Sequence, residues 1–400
     1  MSGPPHARTT ADSLAAASPA PAVGHSGGSG ARIRIVGDLV VKSTDATGAG
    51  KLAAEGRWLK WVGAASRPAA IRSRFPVVLG RSEATGSTLF LRRLPGRDAR
   101  TLALAGPGHA TRRLVGSAVR FAFQDLAELD VRQSGWDTGA WCAEHLDDSL
   151  ERSEGHHPPV RLLRHAERVV VGGLPVANPL SADGGFVRER VRALRAVRTQ
   201  VIHGDLHLGN MLVHEERDAF YLLDPRGDWG GERTFDPAYD VAKLLHEAHY
   251  LCARWGRPSG GAVLNLGELR FPAAAPGTPP VHPALPRLAL FNARLAASAC
   301  RQLDDDPGVA ARATLLTGVL LLSVLRFPHT VSYRWETLLA HGLAWLSVGL
   351  RATEGRWTLR ESWAEWARLN RLVFPYAREA ASSYGGDGCV RDPACKALPR

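Results

Sequence analysis

Lysine is scarce in this chain. Lys and Arg together number 50, but lysine stands only at Lys42, Lys51, Lys60, Lys243 and Lys396, so the formal net charge of +11 is carried almost wholly by arginine. No basic run with interleaved aromatics concentrates that charge, which argues against a nucleic-acid partner; a genomic bias toward Arg, Ala and Gly explains it as well as an anionic partner would. Cysteine is thin too. Cys142, Cys252, Cys300, Cys389 and Cys395 are odd in number and, apart from the last two in the tail, have no metal-ligand spacing. That argues against a disulfide framework and for a reducing, cytoplasmic setting. Long apolar runs are also missing. The best candidate, residues 315–327, reads LLTGVLLLSVLRF, carries an arginine and is too short to span a bilayer, so it is expected as a buried helix. The N-terminus has no apolar core of signal-peptide length. A soluble cytoplasmic protein without a membrane partner is expected, with its oligomeric state open.

What is present is a chain of 400 residues with 45% hydrophobic content, enough for one large two-lobed unit or two domains. Residues 1–23, rich in Pro, Ala, Ser and Thr, have little to bury, and the last sixteen or so, residues 385–400, read as a loose tail. Between these ends the densest chemistry lies in residues 201–243, VIHGDLHLGNMLVHEERDAFYLLDPRGDWGGERTFDPAYDVAK. Met211-Leu212-Val213 and Phe220 to Leu223 are short apolar runs separated by a polar segment, the pattern of a β-hairpin. Antiparallel pairing would bring the start of the first run beside the end of the second. Asp205, Asn210 and Asp224 would then converge at one end of the hairpin, a set of hard oxygen ligands beside a further carboxylate that suits Mg²⁺ and a phosphate substrate.

Upstream, His25-Ser-Gly-Gly-Ser-Gly30 precedes the alternating run 31–36. Gly27, Gly28, Ser29 and Gly30 read either as a hairpin whose backbone N–H groups lie over phosphates or as the flexible end of the tail. After a turn at Gly37-Asp38, the strand 39–43 carries Lys42, and a helix over 50–62 follows with Leu52, Leu59 and Val62 on one stripe and Glu55 among them. Strands are expected over 75–80 and 87–94, the second ending at Pro95-Gly96. Helices are expected over 111–129 and 187–197, and over 239–255 with Asp236 as N-cap and Pro237 at the first helical position. Further helices are expected over 287–301, 309–327, 334–350 and 357–372, with 256–286 as a long proline-rich connection. Residues 128–154 are locally acidic, which reads as a solvated helix face or as a patch for a polyamine. His156-His157 and Pro158-Pro159 read as loop, and Trp335, Trp345, Trp357, Trp363 and Trp366 mostly as core. No internal repeat is evident.

His203-Gly204-Asp205, with Asn210 five residues on, an apolar strand, Asp224-Pro225-Arg226-Gly227 and a later Asp236-Pro-Ala-Tyr-Asp240, resembles the catalytic loop and metal-binding segment of the aminoglycoside phosphotransferase and choline kinase branch of the kinase-like superfamily. The resemblance implies an α+β, bilobal protein-kinase-like fold. Its N-lobe would cover 24–95 with an antiparallel sheet plus a helix, and its C-lobe 96–384, mainly helical with a catalytic β-hairpin. It implies ATP (or GTP) as co-substrate, Mg²⁺ as cofactor and a small-molecule hydroxyl acceptor, such as a sugar, an aminocyclitol or an antibiotic-like metabolite. Asp205 would be the base, and Asn210 and Asp224 the metal ligands. Lys42 would hold the phosphates and be held by Glu55, and the backbone of Arg92, Arg93 and Leu94 would meet the adenine. His203 and Asp240 would brace the catalytic loop, while His207 and Arg226 are placed to touch the acceptor. Arg226 departs from the small or aromatic residue usual after the metal Asp. Two other classes remain open: a non-catalytic nucleotide-binding scaffold, and a nucleotidyl or protein-modifying transferase, the latter weakened by the absence of an Ala-Pro-Glu segment.

Overall fold

The computed structural model describes residues 25–26, 31–45, 48–82, 87–133, 137–181, 184–226, 232–255, 263–265, 268–271, 284–327, 335–355 and 357–373. Its N-terminal part is a five-stranded antiparallel sheet made of β1 (His25–Ser26), β2 (Arg32–Val36), β3 (Leu39–Thr44), β4 (Val78–Ser82) and β5 (Ser87–Arg92), in the order β1-β2-β3-β5-β4. The β2–β3 hairpin turns through Gly37, whose φ of 57° is a left-handed value that glycine adopts without strain. The helix α1 (Ala49–Val62) packs on β5, with Leu52, Leu59 and Val62 buried as their spacing predicts. A Cβ on Gly56 would sit 3.2 Å from Leu89, so the glycine lets helix and sheet approach closely. Trp58 meets Phe75 edge-on, with ring centroids 5.0 Å apart. That contact explains a displaced strand. The expected 75–80 segment pairs only from Val78, because Phe75 is buried in the core and Pro76 has no N–H for the ladder.

The chain leaves β5 through Pro95 and Gly96 into β6 (Arg97–Asp98), α2 (Ala99–Ala105), α3 (His109–Phe123), β7 (Val131–Gln133), α4 (Thr138–His156), α5 (Gly184–Arg192) and β8 (Arg198–Val201). The hairpin of β9 (Met211–His214) and β10 (Ala219–Leu222) follows, then β11 (Thr234–Phe235) and α6 (Ala238–Trp255). Four more helices close the fold: α7 (Leu285–Arg301), α8 (Val309–Val324), α9 (Trp335–Gly355) and α10 (Leu359–Val373). β6 pairs with β9, tying the exit from the N-terminal sheet to the hairpin. β8 pairs with both β7 and β11, immediately before the His203 loop. The core of the C-terminal part is α6, α8 and α9, most of whose residues are buried. Residues 315–324 of the expected segment thus lie in a buried helix, which ends before Leu325, Arg326 and Phe327, and no described helix is long and apolar enough to cross a membrane.

Several expected boundaries shift. The helix expected over 111–129 starts at His109 and stops at Phe123, with Gln124 as its C-cap, followed by a 3-10 turn at Ala127–Leu129 beside the buried Leu126. The helix expected over 187–197 ends at Arg192, where the chain extends to enter the β7-β8-β11 sheet. The segment expected as loop around His156 is helix through His156 and a 3-10 turn at Pro158–Arg161. Within 256–286, Val263–Asn265 and Glu268–Phe271 form a hairpin that joins Arg168–Val171 in a mixed sheet, a pairing with a segment far away in sequence that local patterning does not disclose.

Candidate active site

The hairpin register sets the site. Met211 pairs with Leu222 and Val213 with Phe220, and one rung further the N–H of Leu223 donates to the carbonyl of Asn210 at 2.8 Å. That last bond puts Asn210 beside the residue preceding Asp224, the convergence that the spacing predicts. Asp224 holds a left-handed φ of 54°, a conformation that costs a non-glycine residue free energy and is characteristic of functional segments. The N–H of Arg226 donates to the carbonyl of His203 at 2.9 Å, stitching the chain after Asp224 back to the loop before Asp205.

Lys42 projects from β3 to the same place. Its ammonium lies 2.6 Å from Glu55 Oε1 on α1 and 3.0 Å from Asp224 Oδ1, and the residue is buried. Burial opposes the lysine's charge, but Asp224 and Glu55 outweigh it and hold its pKa above the ordinary value. Asp224 responds in the other direction: burial works against its ionisation, while Lys42 and Lys51 bring its carboxyl down to about 2. Three elements remote in sequence are thereby pinned at one point.

Asp205 is braced from beneath. The carboxylate of Asp240 on α6 accepts from the N–H groups of His203 at 2.8 Å, Gly204 at 2.9 Å and Leu206 at 3.4 Å. Burial pushes that carboxyl up to about 7 and the three N–H groups pull it back. Gly204 has a φ of 77°, which the sharp turn requires. His203 is fully buried and its Nδ1 accepts from the N–H of Asp205 at 3.3 Å, so the ring is neutral there; burial lowers its pKa to about 4. This is the geometry of a structural histidine.

Lys243, one turn along α6 from Asp240, places its ammonium 2.7 Å from Asp205 Oδ1. Burial disfavours the charge of Asp205, but Lys243, His207, Lys51 and Arg226 hold its carboxyl well below the usual range. His207 lies with Nε2 3.8 Å from Asp205 Oδ2 and Nδ1 3.2 Å from Arg100 Nη2. Glu247 accepts from the N–H groups of Leu208 and Gly209, each at 3.1 Å, and from Arg100 Nε at 2.6 Å, fixing the far side of the loop. His246 is buried beside these groups, stacked on Tyr250, and neither ring nitrogen has a hydrogen-bond partner among the described residues.

Asn210 Nδ2 donates to the carbonyl of Asp205 at 2.9 Å, which leaves its Oδ1 for a cation next to the Asp224 carboxylate. Both are hard oxygen donors of the kind Mg²⁺ takes, and two protein ligands supplemented by phosphate oxygens and water are its usual set. No group of three or more His, Cys, Asp or Glu among the described residues is placed to hold a metal ion.

Not every expected contact comes together. Gly27, Gly28, Ser29 and Gly30 lie outside the described residues. The N–H groups of Arg92 and Arg93 donate to the carbonyls of Val77 and Asp38, so those two donors are already engaged within the fold. Arg226 turns to Tyr239, donating from Nη1 to the phenolic oxygen. Sequence reasoning missed Lys51, Arg100, Lys243, His246 and Glu247. One signal was available: in a chain with five lysines, three of them, Lys42, Lys51 and Lys243, surround Asp205 and Asp224.

A family model described as "Phosphotransferase enzyme family" matches residues 23–270. No curated protein matches the chain. Two solved structures of aminoglycoside phosphotransferase APH(3'')-Id from Streptomyces rimosus resemble it distantly. One is 20% identical with a TM-score of 0.37, covering 55% of this chain and 75% of that one. The other, in complex with ADP and streptomycin, is 19% identical with a TM-score of 0.37, covering 58% and 79%.

Proposed function

From the premise that this chain belongs to the phosphotransferase enzyme family, with its α+β, bilobal kinase-like fold, we propose that it transfers the γ-phosphate of ATP to a hydroxyl of a small molecule. One observation carries the reading. Lys42 and Asp224, 182 residues apart, meet at 3.0 Å while Glu55 holds the lysine from the opposite side. A buried ammonium gripped by two carboxylates leaves one negative charge in excess, which a divalent ion at Asp224 would neutralise while Lys42 meets the phosphates that the ion carries.

Phosphoryl transfer asks a protein for position and charge more than for covalent chemistry. In the proposed reaction the acceptor oxygen bonds to the γ-phosphorus as the bond from that phosphorus to the β,γ-bridging oxygen breaks. The hydroxyl proton passes to Asp205, and ADP leaves with the electron pair. Asp205 is fixed for this role by Asp240 below and Lys243 beside it. Lys42 steadies the phosphates, and Asn210 and Asp224 would hold Mg²⁺, which supplies charge neutralisation across the β- and γ-phosphates when bound. His207 lies between the base and Glu247, on the side from which an acceptor would approach.

The test is an acceptor screen with ATP or GTP and Mg²⁺, over sugars, aminocyclitols, aminoglycosides and nucleosides, read by product mass. A product heavier by one phosphate, formed by the wild-type chain and lost in Asp205→Asn, supports the proposal. Transfer of a nucleotidyl group, or nucleotide binding without any transfer, overturns it in favour of the nucleotidyl or scaffold reading.

A further inference from the structure

Two of the lysines at the site are spoken for: Lys42 is held by Glu55 and Asp224, and Lys243 by Asp205. Lys51 is different. It stands in the first turn of α1, where the positive end of the helix dipole favours an anion and works against an ammonium, and that turn contains no acidic residue to offset it. A cation in this place gains nothing for the helix. Its direction follows from the helix repeat, because Lys51 precedes Glu55 by four residues and the two side chains leave the same face one turn apart. Glu55 holds Lys42 at 2.6 Å, and Lys42 in turn meets Asp224 at 3.0 Å. The face of α1 that carries Lys51 is therefore the face turned toward the site.

Solvent reaches this lysine, which is exposed where Lys42 is buried. Protein nevertheless surrounds its ammonium closely enough for burial to lower the pKa, and the charges that act on it are, in order, those of Asp224, Arg226, Asp205 and Lys243. The effect is mutual: Lys51 is among the cations that hold the carboxyls of Asp205 and Asp224 down. An ammonium open to water and walled by protein stands in a cleft, and the groups that wall this one include both the proposed metal ligand and the proposed base. Each of those carboxylates already has its own lysine, Lys42 at 3.0 Å from Asp224 Oδ1 and Lys243 at 2.7 Å from Asp205 Oδ1. Among the described residues no hydrogen bond or ion pair engages Lys51 itself, so its three N–H donors are left for a ligand. In phosphoryl transfer the group that passes between a metal ion and a catalytic base is the γ-phosphoryl, whose charge is spread over three oxygens. A compact ammonium is a point charge suited to such a group.

We propose that Lys51 is a catalytic residue of this site: its ammonium donates to a non-bridging oxygen of the γ-phosphate from the side of α1 and stays with the phosphoryl group as it passes from ADP to the acceptor oxygen. Lys42, on the strand, meets the phosphates nearer the nucleoside, so the two lysines divide the triphosphate between them. Lys51 keeps its proton throughout, and the proton of the acceptor hydroxyl goes to Asp205. The role rests on the phosphotransferase reading for the transfer but not for the recognition of a third phosphate.

The experiment uses the full chain with Mg²⁺ and compares wild type, Lys51→Met and Lys51→Arg, each checked for an unchanged melting temperature. Calorimetric titrations with ADP and with a non-hydrolysable ATP analogue measure what the third phosphate contributes to binding. Phosphate transfer from ATP to sugars, aminocyclitols, aminoglycosides and nucleosides is followed in parallel by product mass. Lys51→Met should weaken the analogue about 10-fold or more while ADP stays within about 2-fold, and Lys51→Arg should recover part of the loss. For the acceptor that turns over, kcat in Lys51→Met should fall about 10²-fold. An equal change for ADP and the analogue, or a change in neither, overturns the assignment, and where wild type transfers phosphate it leaves the phosphotransferase standing. A loss confined to the analogue with kcat at the wild-type level overturns the catalytic role. A loss confined to the analogue in a protein that transfers phosphate to no compound keeps Lys51 as a γ-phosphate ligand and overturns the phosphotransferase reading. Wild type that binds neither nucleotide overturns both.

Discussion

Asp205 depends on three neighbours from two segments: Asn210 on its own loop, and Lys243 and the backbone grip of Asp240, both on α6. Asp205→Asn keeps the shape and removes the proposed proton acceptor, so kcat should fall by about 10²–10⁴ while nucleotide affinity, in the proposal a matter for Lys42, holds. Steady-state kinetics with a parallel nucleotide titration check this, and a variant with wild-type kcat excludes Asp205 as the base. Lys243→Met deletes the ammonium 2.7 Å from the base but leaves the Lys42 pairings untouched. Its expected signature is a loss of about 10² in kcat, comparable to removing one preorganised electrostatic donor, with the nucleotide dissociation constant within about 3-fold of wild type. A loss confined to nucleotide binding would move Lys243 out of the acceptor side of the site.

Among the elements, the β9–β10 hairpin was the most legible, because two short apolar runs broken by a polar turn are a local pattern. Asp236 as the cap of α6 was legible for the same reason; its Oδ1 accepts from the N–H of Ala238 at 2.9 Å. The contact between α8 and α9 was not legible. A Cβ on Gly318 would lie 2.4 Å from the Leu346 nitrogen and one on Gly349 2.3 Å from the Leu315 Cα, so the two backbones touch at glycines that look unremarkable in sequence. Gly349→Ala should therefore destabilise by about 1–3 kcal/mol through overpacking against backbone that has no rotamer to change. Gly116→Ala, in α3 with nothing within 4 Å of the added carbon, should stabilise by about 0.5–1 kcal/mol through helix propensity. Paired urea titrations measure both, and the same sign for the two would contradict this packing.

Across the whole molecule, imidazoles are buried neutral to an unusual degree. His145 and His341 are lowered to about 3, His203 and His157 to about 4, and His246 and His249 well below their ordinary value, in each case first by burial. A folded pKa below the unfolded 6.5 means that the unfolded chain binds more protons between the two values. Stability is then complete above about pH 6.5 and drains as pH falls toward 3–4, by about 2 kcal/mol at pH 5 for each group whose folded value lies near 3. The melting temperature is expected to decline steadily from pH 7.5 to 5. His341→Asn, at the ring that meets His249 Nδ1 at 3.3 Å, should flatten that decline by about one proton's worth. A slope identical to wild type would mean that His341 does not titrate on unfolding.

The order of chemical parts was settled by the sequence alone. A lysine closing a strand, a glutamate on the next helix, the His-Gly-Asp loop, the hairpin and the two later carboxylates are local signals, each set by residues within a turn or a strand of one another. Tertiary structure alone decided how the parts are charged and what they exclude. Lys243 reaches Asp205 across 38 residues, and Glu247 clamps the loop 38 and 39 residues before it. The physical reason is that a backbone pattern is governed by near neighbours, whereas an electrostatic field sums over every charge that packing brings within a few ångströms.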